Sequence, residues 1–293
     1  MIRKIADILK EKGKAKHRTY SFEFFPPKTD KGKLKLFETA GIYAQLKPDW
    51  FSVTYGAGGT TRAMTMELAD EIQKSTDVPV MHHFTCVGHS KSELKTILTE
   101  MKKRNICNIL ALRGDAPIGE DWKPAPDGYE YCYQLIGMIR TFGDFFSIGV
   151  AGFPEGHVNC PDKPTDSKYM KLKIDAGGEF IITQLFFDNK DYFEYVDRIR
   201  KVGVTVPILP GILPITDYQT LLRFCKTCGA TIPQSVHDIF KPLDGNAEET
   251  YKKGVEFAVK QCKELLKGGA PGLHFYTLNK TDPVREILSA VRI

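Results

Sequence analysis

Short apolar runs recur along the chain with helical patterns between them. Eight stand at Tyr20–Phe25, Trp50–Tyr55, Val78–Thr85, Asn108–Leu112, Phe146–Ala151, Phe180–Phe186, Val206–Ile212 and Leu273–Leu278. They are rich in Val, Ile, Phe and Tyr, side chains that suit a pleated, buried surface. Several are apolar nearly throughout, as a strand covered on both faces requires. Their starts lie mostly about 25 to 40 residues apart, the length of one βα unit. Between them, Leu34–Leu46 carries Leu34, Phe37, Ile42 and Leu46, and Ser92–Lys103 carries Leu94, Ile97, Leu98 and Met101, at helical spacing. Tyr192–Val202 reads the same way, and two helices, Tyr218–Cys228 and Ala247–Lys267, fill the long gap before the last run. Ahead of the first strand, Ile2, Ile5, Ile8 and Leu9 form one stripe, which predicts an extra N-terminal helix capping the lower end of the fold.

Alternating β and α segments imply a parallel sheet, and eight units favour closure. The expected fold is α/β, a (β/α)₈ TIM barrel in a single domain over residues 1–293. No Gly-x-Gly-x-x-Gly follows the first strand and no Walker-type loop is present; Gly56-Ala57-Gly58-Gly59 lacks the spacing. An open dinucleotide-binding sheet is therefore the weaker architecture.

Composition narrows the function. The 293 residues are 42% hydrophobic and 26% charged, which is ordinary globular usage. A formal charge of +5, from 41 basic and 36 acidic residues, suits an anionic small ligand; nucleic acid would call for a clustered basic face. The one basic cluster, Lys10 to Arg18, reads as a solvated helix end. Seven irregularly spaced cysteines argue against a disulfide framework and for reduced thiols in a cytoplasmic protein. No secretory signal or membrane-length apolar run is visible.

In a barrel, chemistry sits where the strands end. In Ser21-Phe22-Glu23-Phe24-Phe25, residues 21 and 23 share one face and the phenylalanines at 22 and 24 the other. Glu23 then stands at the mouth of an apolar barrel, where burial is expected to raise its pKa and suit it to proton donation. A structural ion pair is the rival reading. Arg113-Gly114-Asp115 closes the fourth run: the Arg can grip a phosphate, the Asp can accept from ring nitrogens or favour a developing cation. Thr54 and Gln184 stand at the ends of the second and sixth strands, and Lys280, beyond the eighth, can meet a carboxylate. The adjacent His82 and His83 point to opposite faces and make poor joint metal ligands. Cys225-Lys226-Thr227-Cys228 has no second pair, and Asp238 and Asp244 have nothing to fix them as a metal site; no metal is expected.

These motifs have a familiar order. Ser21-Phe22-Glu23-Phe24-Phe25-Pro26-Pro27-Lys28, Val53-Thr54-Tyr55-Gly56-Ala57, Ala111-Leu112-Arg113-Gly114-Asp115, Ile182-Thr183-Gln184, Pro210-Gly211-Ile212-Leu213-Pro214 and His274-Phe275-Tyr276-Thr277-Leu278-Asn279 resemble, collinearly, the bacterial methylenetetrahydrofolate reductases. The expectation is a catalytic barrel alone, without the C-terminal regulatory domain of eukaryotic members. The resemblance implies noncovalent FAD and ping-pong reduction of 5,10-methylenetetrahydrofolate to 5-methyltetrahydrofolate by NAD(P)H, in a homo-oligomer. It implies that Glu23 is the general acid and that Asp115 contacts the pterin near the flavin. Gln184 then binds folate and nicotinamide in turn, and Phe224 stacks on the substrate. Thr54, His83, Arg113, Asp115, His157, Asp166 and Lys173 would hold FAD. Three departures stand out. Phe153 replaces a flavin-packing Tyr; Thr220 replaces a folate-contacting Gln, with Gln219 just before it; Lys280 replaces a substrate-contacting Arg, which keeps the charge and loses the fork. Two other readings stay open: a same-fold reductase fed by a partner electron carrier, and a noncatalytic folate- or flavin-binding barrel.

Overall fold

The structure, a computed structural model, describes residues 2–27, 29–54, 62–115 and 123–292. Lys28, Tyr55 and the Gly56–Gly59 loop lie outside the described residues. The described strands are β1 (Thr19–Phe24), β2 (Trp50–Val53), β3 (Val80–Thr85), β4 (Asn108–Leu112), β5 (Ser147–Gly152), β6 (Phe180–Thr183), β7 (Ile208–Leu209), β8 (Gly211–Ile212) and β9 (Gly272–Tyr276). All their pairings are parallel, in the order β7-β6-β5-β4-β3-β2-β1-β9-β8. The two ends of that order, β7 and β8, are successive in the chain, so the sheet curls into a nearly closed barrel.

The seventh run, expected as one strand, is two. Pro210 divides it, because proline has no N–H to give to a ladder. Its carbonyl still accepts from His274 N at 3.0 Å, so the break does not open the wall.

Helices cover the outside: α1 (Ile5–Lys14), α2 (Asp30–Gln45), α3 (Arg62–Thr76), α4 (Lys91–Lys103), α5 (Cys132–Arg140), α6 (Lys163–Asp175), α7 (Asn189–Lys201), α8 (Tyr218–Cys228), α9 (Gln234–Phe240), α10 (Ala247–Lys267) and α11 (Asp282–Val291). The short α9 is an addition to the two helices expected between the seventh and last runs. Outward-facing Phe22, Phe24, Phe51 and Phe275 are fully buried in the core, and the ring of Tyr43 from α2 lies tilted 4.6 Å from that of Phe22. Each such side chain contributes roughly 1.5–3 kcal/mol by leaving water.

Inside the barrel the lower layer is apolar: Trp50, Met81, Leu110, Phe180, Ile182 and Leu209 pack with Ile5 and Leu9 of α1. The N-terminal stripe thus plugs the bottom, as its spacing suggested. Lys4 offers α1 no side-chain cap. Strand residues replace it: Ile5 N donates to Asn108 Oδ1 at 2.8 Å and Ala6 N to Ser147 Oγ at 3.0 Å. With that end sealed, a ligand can enter the interior only at the strands' C-terminal ends.

Candidate active site

Pairing in the sheet sets Glu23 beside Ser52 of β2 and Tyr276 of β9, and Ser21 beside His274. Alternation turns Ser21, Glu23, Ser52, His83 and His274 inward, above the apolar layer. Glu23 is buried, with only 4% of its surface exposed. Its Oε2 lies 3.2 Å from His83 Nε2 and 3.2 Å from His274 Nε2. Ser52 Oγ is 2.8 Å from His83 Nε2, and Ser21 Oγ is 2.8 Å from His274 Nδ1. Thr277 Oγ1 donates to the Glu23 carbonyl at 2.6 Å, which fixes the backbone beneath the carboxylate.

This network reverses the pKa expected for Glu23. Burial by itself pushes the carboxyl up, as its apolar strand suggested. The charge of His83 and the hydrogen bonds from His274 and His83 outweigh burial and hold the carboxyl down at about 2. The difference lies in residues far along the chain: His274 reaches the site only because β9 pairs with β1.

The two adjacent histidines separate as alternation requires. His83 joins the network. His82 points outward and is fully buried, and burial, then the neighbouring His83, depress its pKa to about 3.

A second group gathers beside the first, over β4, β5 and α6. The strand ends at Leu112, whose side chain packs on the interior core, so strict alternation would turn Arg113 away from the mouth. Arg113 lies beyond the strand, where alternation no longer binds it, and Gly114 follows with a φ of 87°, which suits glycine. A Cβ there would also strike Val87 at 2.3 Å. The ring of Phe153 stands edge-on to His157 at 4.5 Å, and Lys173 Nζ lies 5.7 Å over the Phe153 ring while donating to Ala151 O at 3.1 Å. His157 is depressed to about 4, first by burial and then by the charges of Arg113 and Lys173, against a smaller pull from Asp115. Asp166 is buried and its pKa is raised by that burial, with Lys173 and Arg198 pulling the other way. Thr54 follows β2, its N–H given to Phe24 O at 3.0 Å.

These donors fit the FAD that the resemblance implies. Two cations near one neutral imidazole suit a diphosphate, and the faces of Phe153 and His157 suit a flat ring. Thr85 Oγ1, at the top of β3, is buried without a hydrogen-bond partner among the described residues, and a ligand can satisfy it.

The remaining predicted residues sit on the far side of the mouth. Gln184 extends β6 through Gln184 N to Gly152 O at 2.7 Å, and its Oε1 accepts from Leu185 N. Phe224 lies on α8, in a separate apolar cluster with Tyr276 and Leu278. Thr220 Oγ1 accepts from Arg223, and Lys280 Nζ donates to Thr216 Oγ1 at 3.0 Å. Tyr276 spans the rim, its hydroxyl donating to Thr183 O at 2.6 Å. It passes over Gly211, where a Cβ would come within 2.6 Å of the Tyr276 hydroxyl. Sequence reading assigned no role to Ser52, His274, Thr277 or Asn279. A polar residue at an inward position of an apolar strand is the signal that would have found His274. Asn279 grips Phe25 in both directions, Oδ1 accepting from its N–H and Nδ2 donating to its C=O. Leu278 and Asn279 both have positive φ, 49° and 57°, a conformation that non-glycine residues adopt at some cost.

Among the described residues no group of His, Cys, Asp and Glu is arranged to hold a metal ion, all seven cysteines are free, and no helix is long and apolar enough to cross a membrane.

Residues 4–292 match the family model described as methylenetetrahydrofolate reductase. The chain is 37% identical over 287 residues to methylenetetrahydrofolate reductase 1 of Schizosaccharomyces pombe, covering 97% of this chain and 48% of that one. It is 36% identical over 262 residues to the 5,10-methylenetetrahydrofolate reductase of Salmonella typhimurium, covering 89% and 86%. The chain thus spans about half the length of the eukaryotic relatives it matches and most of the bacterial one. Among solved structures, a Clostridium thermocellum protein that binds two copies of 5-methyl-5,6,7,8-tetrahydrofolic acid superposes with a TM-score of 0.62 at 16% identity, covering 97% of this chain and 98% of that one. That last likeness supports the barrel alone, whereas the family match runs through nearly every strand and helix described above: the chain belongs to the methylenetetrahydrofolate reductase family.

Proposed function

We propose that this barrel, spanning residues 1–293, reduces 5,10-methylenetetrahydrofolate to 5-methyltetrahydrofolate in the cytoplasm, with FAD held noncovalently and NAD(P)H as reductant. The observation that carries the reading is Glu23, buried at the barrel mouth between His83 and His274, in a chain of this family. Arg113, Lys173, Thr54 and Asp166 would hold the cofactor, with Phe153 and His157 along its ring. FAD bound there would supply the two-electron chemistry, taking hydride from the nicotinamide and returning it to the folate. The same pocket serves both substrates in turn, which makes the order ping-pong.

The chain's own part is proton handling and positioning. Opening the five-membered ring of the folate requires a proton on the departing nitrogen. Glu23 is ionised at neutral pH in this frame, so the proton is held on the flanking imidazoles, which can carry one near neutral pH, and passes through Glu23 Oε2. Asp115, at the edge of the mouth, favours the cation formed as the ring opens. Gln184 offers paired donor and acceptor atoms to a heterocycle edge, and Phe224 a face on which it can stack.

The test is a spectrum. The purified protein, reconstituted with FAD, should be yellow, bleach on addition of NADH or NADPH, and recover its colour on addition of methylenetetrahydrofolate. Failure to take up FAD would overturn the reading. Bleaching by dithionite but by neither nicotinamide would favour a partner-fed reductase, and bleaching without recovery on folate would favour a different substrate.

A further inference from the structure

Two long cations climb the outer wall to the loop between β5 and α6, which carries Phe153 and His157. Lys173 and Arg198 lie in the last turns of α6 and α7. Helical side chains lean toward the helix N-terminus, which in a barrel is the mouth end. Lys173 Nζ donates to Ala151 O at 3.1 Å, and Arg198 Nη2 donates to Pro154 O at 3.2 Å. The two carbonyls bracket Gly152-Phe153, so the chain on each side of the Phe153 ring is held by a charged donor. Lys173 has a part in the cofactor reading above; Arg198 has none.

Arg198 makes a second bond. Its Nε donates to Ser167 Oγ at 3.2 Å, and that hydroxyl donates in turn to Lys163 O at 2.8 Å. Ser167 is buried early in α6, next to Asp166, whose carboxylate accepts the backbone N–H of His157. One guanidinium therefore ties the start of the loop, at Pro154, to its far end, at Ser167. The ring of Tyr195, fully buried one turn earlier on α7, lies 5.2 Å under the guanidinium. The Tyr195 hydroxyl sits where a Cβ on Gly152 would come within 2.3 Å of it, so this ring also packs beneath the end of β5. A planar fork stacked on such a ring has little freedom to move.

A flat cofactor binds best where the groups that meet it are already in place. With a loose loop, FAD would have to order Phe153 and His157 against Asp166 as it bound, and affinity would fall. We infer that Arg198 is a positioning residue for the cofactor: by holding Pro154 and Ser167 together it presets the β5–α6 loop, acting through Phe153, His157 and Asp166. The inference rests on the FAD reading above.

The experiment follows the loop and the cofactor separately in Arg198→Gln, Arg198→Lys and Ser167→Ala. Gly156 N and Cys160 N close turns inside the loop, donating to Phe153 O and His157 O. In FAD-free Arg198→Gln, hydrogen exchange at these two amides should quicken about tenfold, while the strand amides of β5 exchange as in the wild type. Titration with FAD, read by flavin fluorescence, should give a Kd about tenfold higher, the weight of one charge-assisted hydrogen bond. The visible absorption band of the bound flavin should shift, because the ring beside it is no longer pinned. Arg198→Lys keeps the charge without the fork and should lie between. Ser167→Ala removes one acceptor, leaves Pro154 held, and should lose least. An unchanged Kd and spectrum in Arg198→Gln would overturn the inference. So would a lower urea midpoint with loop exchange and Kd unchanged, which marks a purely structural residue. If Arg198→Gln does not fold, Ser167→Ala decides: a raised Kd supports the inference and an unchanged one overturns it. If the wild type takes up no FAD, the cofactor reading falls and this inference with it.

Discussion

The two ends of the barrel interior share the inward faces of β2 and β3, yet they differ in kind. The lower layer, with Trp50, Met81, Leu110 and Phe180, is apolar, sealed by α1, and uses its two polar side chains, Asn108 and Ser147, to satisfy the first N–H groups of that helix. The upper layer, with Ser21, Glu23, Ser52, His83 and His274, is a polar network around one carboxylate. The lower layer gains its stability from packing and has no unpaired charge to support. The upper layer places an ion where burial alone would disfavour it and holds it there with two imidazoles. Stability and chemistry are thus stacked along one axis, two residues apart on β2 (Trp50, Ser52) and on β3 (Met81, His83).

That separation predicts separable effects. Glu23→Gln should lower folate reduction by about 10²- to 10⁴-fold, the usual weight of a general acid, while flavin reduction by NAD(P)H persists. Stopped-flow measurement of the two half-reactions checks it, and an equal fall in both would make Glu23 a cofactor or structural residue instead. Phe180→Ala should do the opposite, costing about 3–5 kcal/mol of stability by denaturant unfolding with both half-reactions intact per folded molecule. Damage to the folate step at equal folding would break the division between the layers. Asn108→Ala should cost about 1–3 kcal/mol, because it strands the N–H of Ile5 and the carbonyl of Arg3, to which Asn108 Nδ2 donates. The last is a pH dependence. Glu23 titrates at about 2 in the native chain against an ordinary 4.5, so its ionised form adds stability that is full above pH 4.5 and fades as pH falls toward 2. The difference in urea midpoint between wild type and Glu23→Gln should narrow over that window. A constant difference would mean that the histidines do not hold the carboxylate down.

Much of this was legible in the chain. The period of two in Ser21–Phe25 assigned Glu23 to the inward face and Phe22 and Phe24 to the helix layer, and the Ile5–Leu9 stripe located the plug. Less legible was the seventh run, where an apolar stretch concealed the break at Pro210. Arg113 stands past the end of its strand, so parity could not place it; the fold brings its charge to bear on His157, beyond β5.

Local pattern determined which face each side chain takes, because alternation along a strand depends on nothing beyond that strand. It therefore determined the barrel, its sealed lower end and a carboxylate at its mouth. Which groups surround that carboxylate was decided only on closure, when β9 came to lie against β1 and carried His274 across 251 positions of sequence to Glu23. The direction of a buried pKa depends on such partners as much as on burial itself. Tertiary structure therefore set Glu23 below the ordinary carboxylate range, where its own strand pointed above it.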